Sequence, residues 1–286
     1  MSQLSLLLKG HLHVFTRPLV MSIVNVTPDS FYAGSRIGND TELLHTVETA
    51  LKDGADIIDL GGCSTRPSSK STTEDEELQR VSHAMEIIRK HWPDTPVSVD
   101  TFRSRIMRIA VRDFEADIIN DISGGMIDHK TFETVAELNV PYVLMHMRGT
   151  PQTMQQLCNY DDILTDMLRY FAEKMEALRA TGFDREIIID PGFGFAKTCE
   201  QNYEIMRQLK TFRTLGAPLL VGISRKAMIY KPLEITPADA LNGTTALNIV
   251  ALMNGANILR VHDTRAAVET VKIFELLYAG NHSATL

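Results

Sequence analysis

The chain has 286 residues, of which 44 % are hydrophobic and 23 % charged, and its formal net charge is −7. That composition excludes a disordered chain and predicts a sizeable globular core. The acidic balance excludes a general affinity for nucleic acid, which needs a basic surface, but it leaves room for a local basic pocket.

In chain order, the first seventeen residues contain the apolar SLLL and the alternating HLHVF. They predict a short strand or hairpin at the bottom of whatever follows. The same stretch has no basic leader and no small-residue cleavage site, so it does not read as a signal peptide. From residue 18 one unit repeats: a short buried run, a polar or glycine-rich link, then an amphipathic stretch. The buried runs are LVMSIVN (19–25), DIIDLGG (56–62), VSVD (97–100), DIIND (117–121), YVLMH (142–146), IIID (187–190), LLVGIS (219–224) and NILRVH (257–262). Near-continuous β-branched and aliphatic runs of this length suit parallel strands covered on both faces. Helical patterns lie between them, among them EDEELQRVSHAMEIIRKH (74–91), DDILTDMLRYFAEKMEALRATG (161–182) and PADALNGTTALNIVALMNGA (237–256). Gly54, Gly182 and Gly255 stand where such helices should end. Eight β–α units predict an α/β fold, a single (β/α)8 TIM barrel over residues 18–280 with a short tail at 281–286; a doubly wound open sheet is the rival. No apolar run approaches the roughly 20 residues of a membrane helix. Cys63, Cys158 and Cys199 are odd in number and widely spaced, which fits neither a disulfide framework nor a zinc site. The expectation is a cytoplasmic protein with no membrane and no nucleic-acid partner.

Each buried run ends in residues a hydrophobic strand does not need: Asn25, Asp59, Asp100, Asn120 with Asp121, His146, Asp190, Ser224 with Arg225 and Lys226, and Arg260 with His262. One such residue is explained as a turn or cap former. A whole series is not, and in a barrel all of them lie on the face where active sites form. Asp100, Asn120 and Asp190 offer acceptors suited to a planar ligand rich in N–H groups. Lys226, Arg260 and His262 offer donors and positive charge suited to phosphate. A helix beginning near Asp263 or Thr264 would add its N-terminus to that anion site. In DPGFGFAKT (190–198), Gly192 and Gly194 let backbone approach a ligand and Phe195 could stack on a ring, with an ordinary turn around a core phenylalanine as the alternative. Of Arg225 and Lys226, one should point into the barrel mouth and the other to solvent. Ser224 lacks the glycine framing of a nucleophile elbow, and His45, His83, His91 and His129 fall on helical patterns that suit a surface role. Positioning and electrostatics, rather than covalent catalysis, are therefore expected.

The ordered set VNVTPDSF (24–31), DLGGCSTRP (59–67), SVDTFR (98–103), INDISGG (119–125), LMHMRGTPQTM (144–154), DPGFGF (190–195), GISRK (222–226) and LRVHD (259–263) resembles the dihydropteroate synthases. The resemblance implies a transferase of folate biosynthesis and a sulfonamide target. It would join 6-hydroxymethyl-7,8-dihydropterin pyrophosphate to p-aminobenzoate by SN1-like loss of pyrophosphate. It also implies Mg2+ as cofactor and a homodimer packed through the last helices. Carried over, Asp100, Asn120, Asp190 and Lys226 would bind the pterin, with Met145 and Phe195 packed on its ring. Asn25, Thr65, Arg260 and His262 would hold the pyrophosphate, with Mg2+ at Asn25. Phe31, Thr65, Arg66, Pro67 and Ser224 would form the p-aminobenzoate pocket. Asp100, Asp190, Lys226, Arg260 and His262 would carry catalysis, under two loops that close after strands 1 and 2. A non-catalytic pterin-binding relative and a pterin-dependent methyltransferase are the alternatives. This chain departs from the usual pattern in SFYAGSR, with Tyr32 and Ala33 after the phenylalanine, in Cys63 where glutamate is frequent, and in RPSS where RPG is usual. Displacement of pyrophosphate needs no thiolate, so Cys63 is expected to be a bystander.

Overall fold

The computed structural model describes residues 4–27, 36–63 and 72–278. At its start, Leu4–Leu8 (β1) and His11–Phe15 (β2) form an antiparallel hairpin. The turn between them uses Lys9 and Gly10, both at positive φ. Alternation along β1 sends Leu4, Leu6 and Leu8 inward, where all three are buried, while Leu12 and Val14 of β2 face solvent.

The eight runs predicted as strands are strands: Leu19–Asn25 (β3), Ile57–Gly61 (β4), Val97–Asp100 (β5), Ile118–Asp121 (β6), Tyr142–Met145 (β7), Ile187–Asp190 (β8), Leu220–Val221 (β9) and Ile258–Val261 (β10). They pair in parallel in the order β8-β7-β6-β5-β4-β3-β10-β9. The ring closes between β8 and β9 through the parallel bridge Ile189–Leu219 and the Ile189 N–H donating to Pro218 O at 2.9 Å. Closure removes the open-sheet alternative and yields the (β/α)8 barrel. β9 is much shorter than its sequence run. The chain curls into a turn in which Lys226 N–H bonds Ile223 O at 3.1 Å, and Arg225 takes φ +56°.

Period-two alternation divides the strand side chains between two cores. Leu19, Met21, Ile57, Ile118, Val143, Ile188, Leu220 and Ile258 point into the barrel and meet Leu4, Leu6 and Leu8, so the hairpin plugs the bottom. Val20, Ile58, Val99, Ile119, Leu144, Ile189 and Leu259 point outward and pack under the helices. Those helices are Arg36–Lys52 (α1), Glu74–His91 (α2), Ser104–Arg112 (α3), Thr131–Leu138 (α4), Ile163–Ala180 (α5), Cys199–Arg207 (α6), Ala227–Tyr230 (α7), Leu241–Met253 (α8) and Thr264–Tyr278 (α9).

The helix bounds follow local chemistry. α2 opens on a capping box, with Thr73 Oγ1 accepting from Glu76 N–H and Thr73 N–H donating to Glu76 Oε2 at 2.8 Å. Its first turn is acidic and its last basic, as the helix dipole favours. The stretch predicted as one helix over 237–256 instead divides into a 3-10 turn, Pro237–Asp239, and α8. The proline supplies no N–H and so suits the first position of that turn. His129 lies in the turn before α4 rather than on a helix, while His45, His83 and His91 sit exposed on α1 and α2 as expected. No helix among the described residues is long and apolar enough to cross a membrane.

The plug should contribute to stability in proportion to the buried volume it fills. Leu6→Ala, at a fully buried position, is expected to lower the unfolding free energy by about 2–5 kcal/mol in urea denaturation. A change below about 1 kcal/mol would show that the hairpin does not pack as described.

Candidate active site

Above the aliphatic layer the barrel interior turns polar. Asp59 on β4 is completely buried. Its carboxylate accepts from Ser98 Oγ on β5 at 2.6 Å, from Asn120 Nδ2 on β6 at 3.2 Å, and from Arg260 Nε on β10 at 2.6 Å. The Arg260 guanidinium then reaches Asp100, at the end of β5, through Nη2 at 2.7 Å. On the opposite wall Asp190 ends β8 and accepts from Gly192 N–H at 2.8 Å. Gly192 has φ +65°, and a Cβ there would run into the carbonyl oxygen of His146. Lys226 Nζ donates to Phe193 O at 2.6 Å and stands 4.9 Å from the Phe195 ring centroid. His262 follows β10, its Nδ1 3.1 Å from Ser224 Oγ.

These groups surround a cavity of about 1080 Å³ at the strands' C-terminal ends, lined by Asn25, Asp100, Phe195, Ser224, Lys226, Arg260 and His262 among others. Asn120, Met145 and Asp190 do not line this cavity themselves; they are nearly fully buried at the ends of β6, β7 and β8, behind its wall. Met145 and Phe195 belong to one apolar cluster at this rim. Asn25 approaches closely because residue 61 is glycine: a Cβ there would lie 3.0 Å from Asn25 Oδ1. Phe31, Thr65, Arg66 and Pro67, with Tyr32 and Ala33, lie outside the described residues.

Burial dominates the electrostatics. It raises Asp100 to about 7 against the opposing pull of Arg260, with Asp59 adding to the rise. It raises Asp190 as well, against Lys226. Burial lowers Lys226 to about 8, with Asp190 opposing. For Arg260 burial works against the charge, but Asp59 and Asp100 prevail and hold it firmly protonated. His262 departs from the sequence reading: burial and the neighbouring Arg260 lower it to about 4, so at neutral pH it is a neutral hydrogen-bonding group rather than a cation.

Other strand-end residues serve the scaffold. Asp121 is fully buried and accepts from Tyr142 Oη at 2.7 Å and from the Ser123 and Gly125 amides. His146 meets Lys197 Nζ at 2.9 Å, and that ammonium also binds Gly192 O and Phe195 O, at 3.1 and 2.9 Å, bracing the glycine loop from behind. The choice between Arg225 and Lys226 is settled by geometry. Lys226 reaches across the cavity to Phe193 O, while Arg225, which also borders the cavity, is not the solvated charge expected of the other residue. Its Nε and Nη2 grip Asp263 at 2.8 and 2.7 Å, and its Nη1 donates to Pro237 O and Ala238 O. Asp59 was visible as a polar strand end but had no role assigned. The signal was present: an aspartate interrupting the aliphatic run IIDLGG must find partners inside the barrel.

The pterin binding enzyme family matches residues 21–262. The chain is 40 % identical to the dihydropteroate synthase of Synechocystis sp., over 92 % of its own length and 91 % of that relative. It is likewise 40 % identical to that of Escherichia coli K12, over 91 % and 92 %. The chain belongs to the dihydropteroate synthase family. Two solved members superpose on it with a TM-score of 0.89. One is the Yersinia pestis enzyme in a sulfonamide drug complex, 37 % identical, with coverage of 97 % of this chain and 100 % of that one. The other is the Xanthomonas albilineans enzyme with 4-aminobenzoic acid, 35 % identical, with coverage of 97 % and 99 %. These relatives are dihydropteroate synthases over most of the chain, and the chain is an enzyme of that family.

Within the family, Cys63 is the residue whose chemistry invites a question. It lines the cavity and is half-buried. Burial and the negative charge of Glu77 raise its thiol, the opposite of what an activated nucleophile requires. Cys63→Ser is expected to keep kcat/KM within a few-fold of the parent, and a loss beyond about 100-fold in steady-state kinetics would place the thiol in the reaction.

Proposed function

We propose that the chain condenses 6-hydroxymethyl-7,8-dihydropterin pyrophosphate with p-aminobenzoate, giving 7,8-dihydropteroate and pyrophosphate for folate synthesis. The observation that carries this reading is the meeting, at one barrel mouth, of an acceptor set with a cationic set. Asp100, Asn120 and Asp190 supply the first. Lys226 and Arg260, with neutral His262 as a hydrogen-bonding neighbour, supply the second.

The pterin ring would lie between Met145 and Phe195, its N–H groups donating to Asp100 and Asp190 and its polar edge meeting Asn120 and Lys226. The pyrophosphate would sit toward Asn25, Arg260 and His262, beside the start of α9. Heterolysis of the bond between the exocyclic methylene and the pyrophosphate oxygen sends the electron pair to pyrophosphate and leaves a cation on the pterin. Carboxylates fixed in a low-dielectric site stabilise that cation, and Arg260 stabilises the departing charge. The amine of p-aminobenzoate then forms the C–N bond and releases one proton to solvent. Ser224 would border this subsite, and the family resemblance assigns Phe31, Thr65, Arg66 and Pro67 to its remainder.

Among the described residues no group of three acidic, histidine or cysteine side chains could hold a metal by itself. Asn25 Oδ1 is an oxygen donor of the kind Mg2+ accepts, and Mg2+ commonly takes few protein ligands alongside substrate phosphates. Asn25 and the pyrophosphate oxygens would hold the ion, whose charge would assist the leaving group. A homodimer through the last helices is supported by exposed apolar residues there: Ile273, Leu276 and Leu277 on α9, and Met253 on α8. Three cysteines without a disulfide suit a reducing cytoplasm.

Purified protein with Mg2+ should convert radiolabelled p-aminobenzoate to dihydropteroate. Folded protein that gives no product refutes the reading. Asp100→Ala and Lys226→Ala should each weaken pterin pyrophosphate binding about 10- to 100-fold in calorimetry.

The pH dependence of kcat/KM for the pterin substrate should be bell-shaped. It should fall below about 7, where Asp100 takes up a proton and ceases to be a pure acceptor, and above about 8, where Lys226 loses its charge. Asp100→Asn should remove the acid limb; its persistence would assign that limb to another group.

A further inference from the structure

We propose that Asp59 is the positioning residue of this site: completely buried at the level of Ser98, two residues below the Gly61–Asp100 pair at the rim, it sets the orientation of both Asn120 and Arg260. The inference rests on the reading above, in which those two groups serve the pterin and the pyrophosphate.

Asp59 is completely buried, does not line the cavity, and receives donors from three strands, from Ser98, Asn120 and Arg260. For Asn120 the consequence is directional. Its amide nitrogen is committed to Asp59, at 3.2 and 3.3 Å from the two carboxylate oxygens, so its carbonyl is the end left for a ligand N–H. The reversed amide would set oxygen against carboxylate, a buried repulsion with no compensating donor.

For Arg260 the consequence is an anchored guanidinium. Nε and Nη2 both lie 2.6 Å from Asp59 Oδ2, Nη2 also reaches Asp100 Oδ2 at 2.7 Å, and Nη1 has no partner among the described residues. Asp59 thereby keeps the guanidinium from turning onto Asp100 as a bidentate pair. Such a pair would occupy the carboxylate the pterin needs and withdraw the donor the pyrophosphate needs. The charged groups acting on Asp100 are Arg260 from β10, Asp59 from β4, Glu77 from α2, Asp121 from β6, and Lys226 from the turn after β9. Asp59 is therefore a neighbouring negative charge that helps Asp100 keep its proton, and removing it should move the Asp100 titration to lower pH.

The test is Asp59→Asn, close in shape but uncharged. Expected are a fall in kcat/KM for the pterin substrate of about 10- to 100-fold with KM for p-aminobenzoate nearly unchanged, and an acid limb displaced to lower pH by about half a unit or more. A carboxylate that merely filled space would leave the limb in place, so a loss of activity with an unmoved limb overturns the proposal. Parental kinetics overturn it too. Should the parent protein prove inactive, the synthase reading fails separately. A 13C NMR titration of the Asp100 carboxyl, assigned with Asp100→Asn, then decides whether Asp59→Asn lowers its midpoint, and an unmoved midpoint is the overturning result. If Asp59→Asn does not fold, Ser98→Ala removes one of the same carboxylate's donors without touching a ligand-facing group. It should reduce kcat/KM about 3- to 10-fold, and an unchanged value overturns the proposal.

Discussion

The ion pair between Asp59 and Arg260 joins strands that are far apart in sequence and makes the upper barrel a single electrostatic unit. Closing an eight-stranded ring forces every inward side chain into a shared, water-poor interior. In the lower layer that interior is filled by aliphatic groups and by the leucines of the hairpin. In the upper layer it is filled by a carboxylate, a hydroxyl, an amide and a guanidinium, each bonded to another. An unpaired charge at this depth would be costly, of the order of 3–5 kcal/mol when one partner of a buried pair is removed. The network is therefore constrained as a set, and the orientations of Asn120 and Arg260 are constrained with it.

The same enclosure explains the ionisation pattern. Asp100 and Asp190 are raised, and Lys226 and His262 lowered, with burial as the leading cause in all four. Groups of opposite sign are thus drawn toward neutrality from both sides, which makes their charges responsive to a bound partner. A pterin that brings N–H donors to the carboxylates and a pyrophosphate that brings negative charge to the cations would favour the charged forms that burial opposes. Preorganisation of this kind reduces the reorganisation needed when charge develops in the transition state.

The glycine loop on the Asp190 side of the barrel mouth is held by the scaffold. Lys197 bonds the carbonyls of Gly192 and Phe195 and the ring of His146, and Asp190 bonds the Gly192 amide, so the loop that presents Phe195 is fixed from two sides. Arg225 fastens the turn after β9 to Asp263, next to the start of α9. That frees the neighbouring Lys226 to face inward. Cys63 occupies a less consequential position at the cavity wall, where burial and Glu77 keep its thiol protonated.

Much of this was legible in the sequence, because the signals are local. Aliphatic runs of four to seven residues and glycines where helices end depend on near neighbours, and they located the strands and the main helices. The polar strand ends announced the mouth of the barrel, although Asp121 and His146 among them serve the scaffold. The ordered motifs pointed to the family for the same reason: each is a short contiguous segment, readable without knowing what it faces. What the sequence could not decide was how those residues pair across the ring. That Arg225 turns to Asp263 while Lys226 faces the cavity, that His262 is neutral, and that Asp59 binds both Asn120 and Arg260 all depend on contacts between residues from tens to some two hundred positions apart. Only closure of the barrel brings such groups within hydrogen-bonding distance, and only the burial that comes with closure makes their mutual charges decisive.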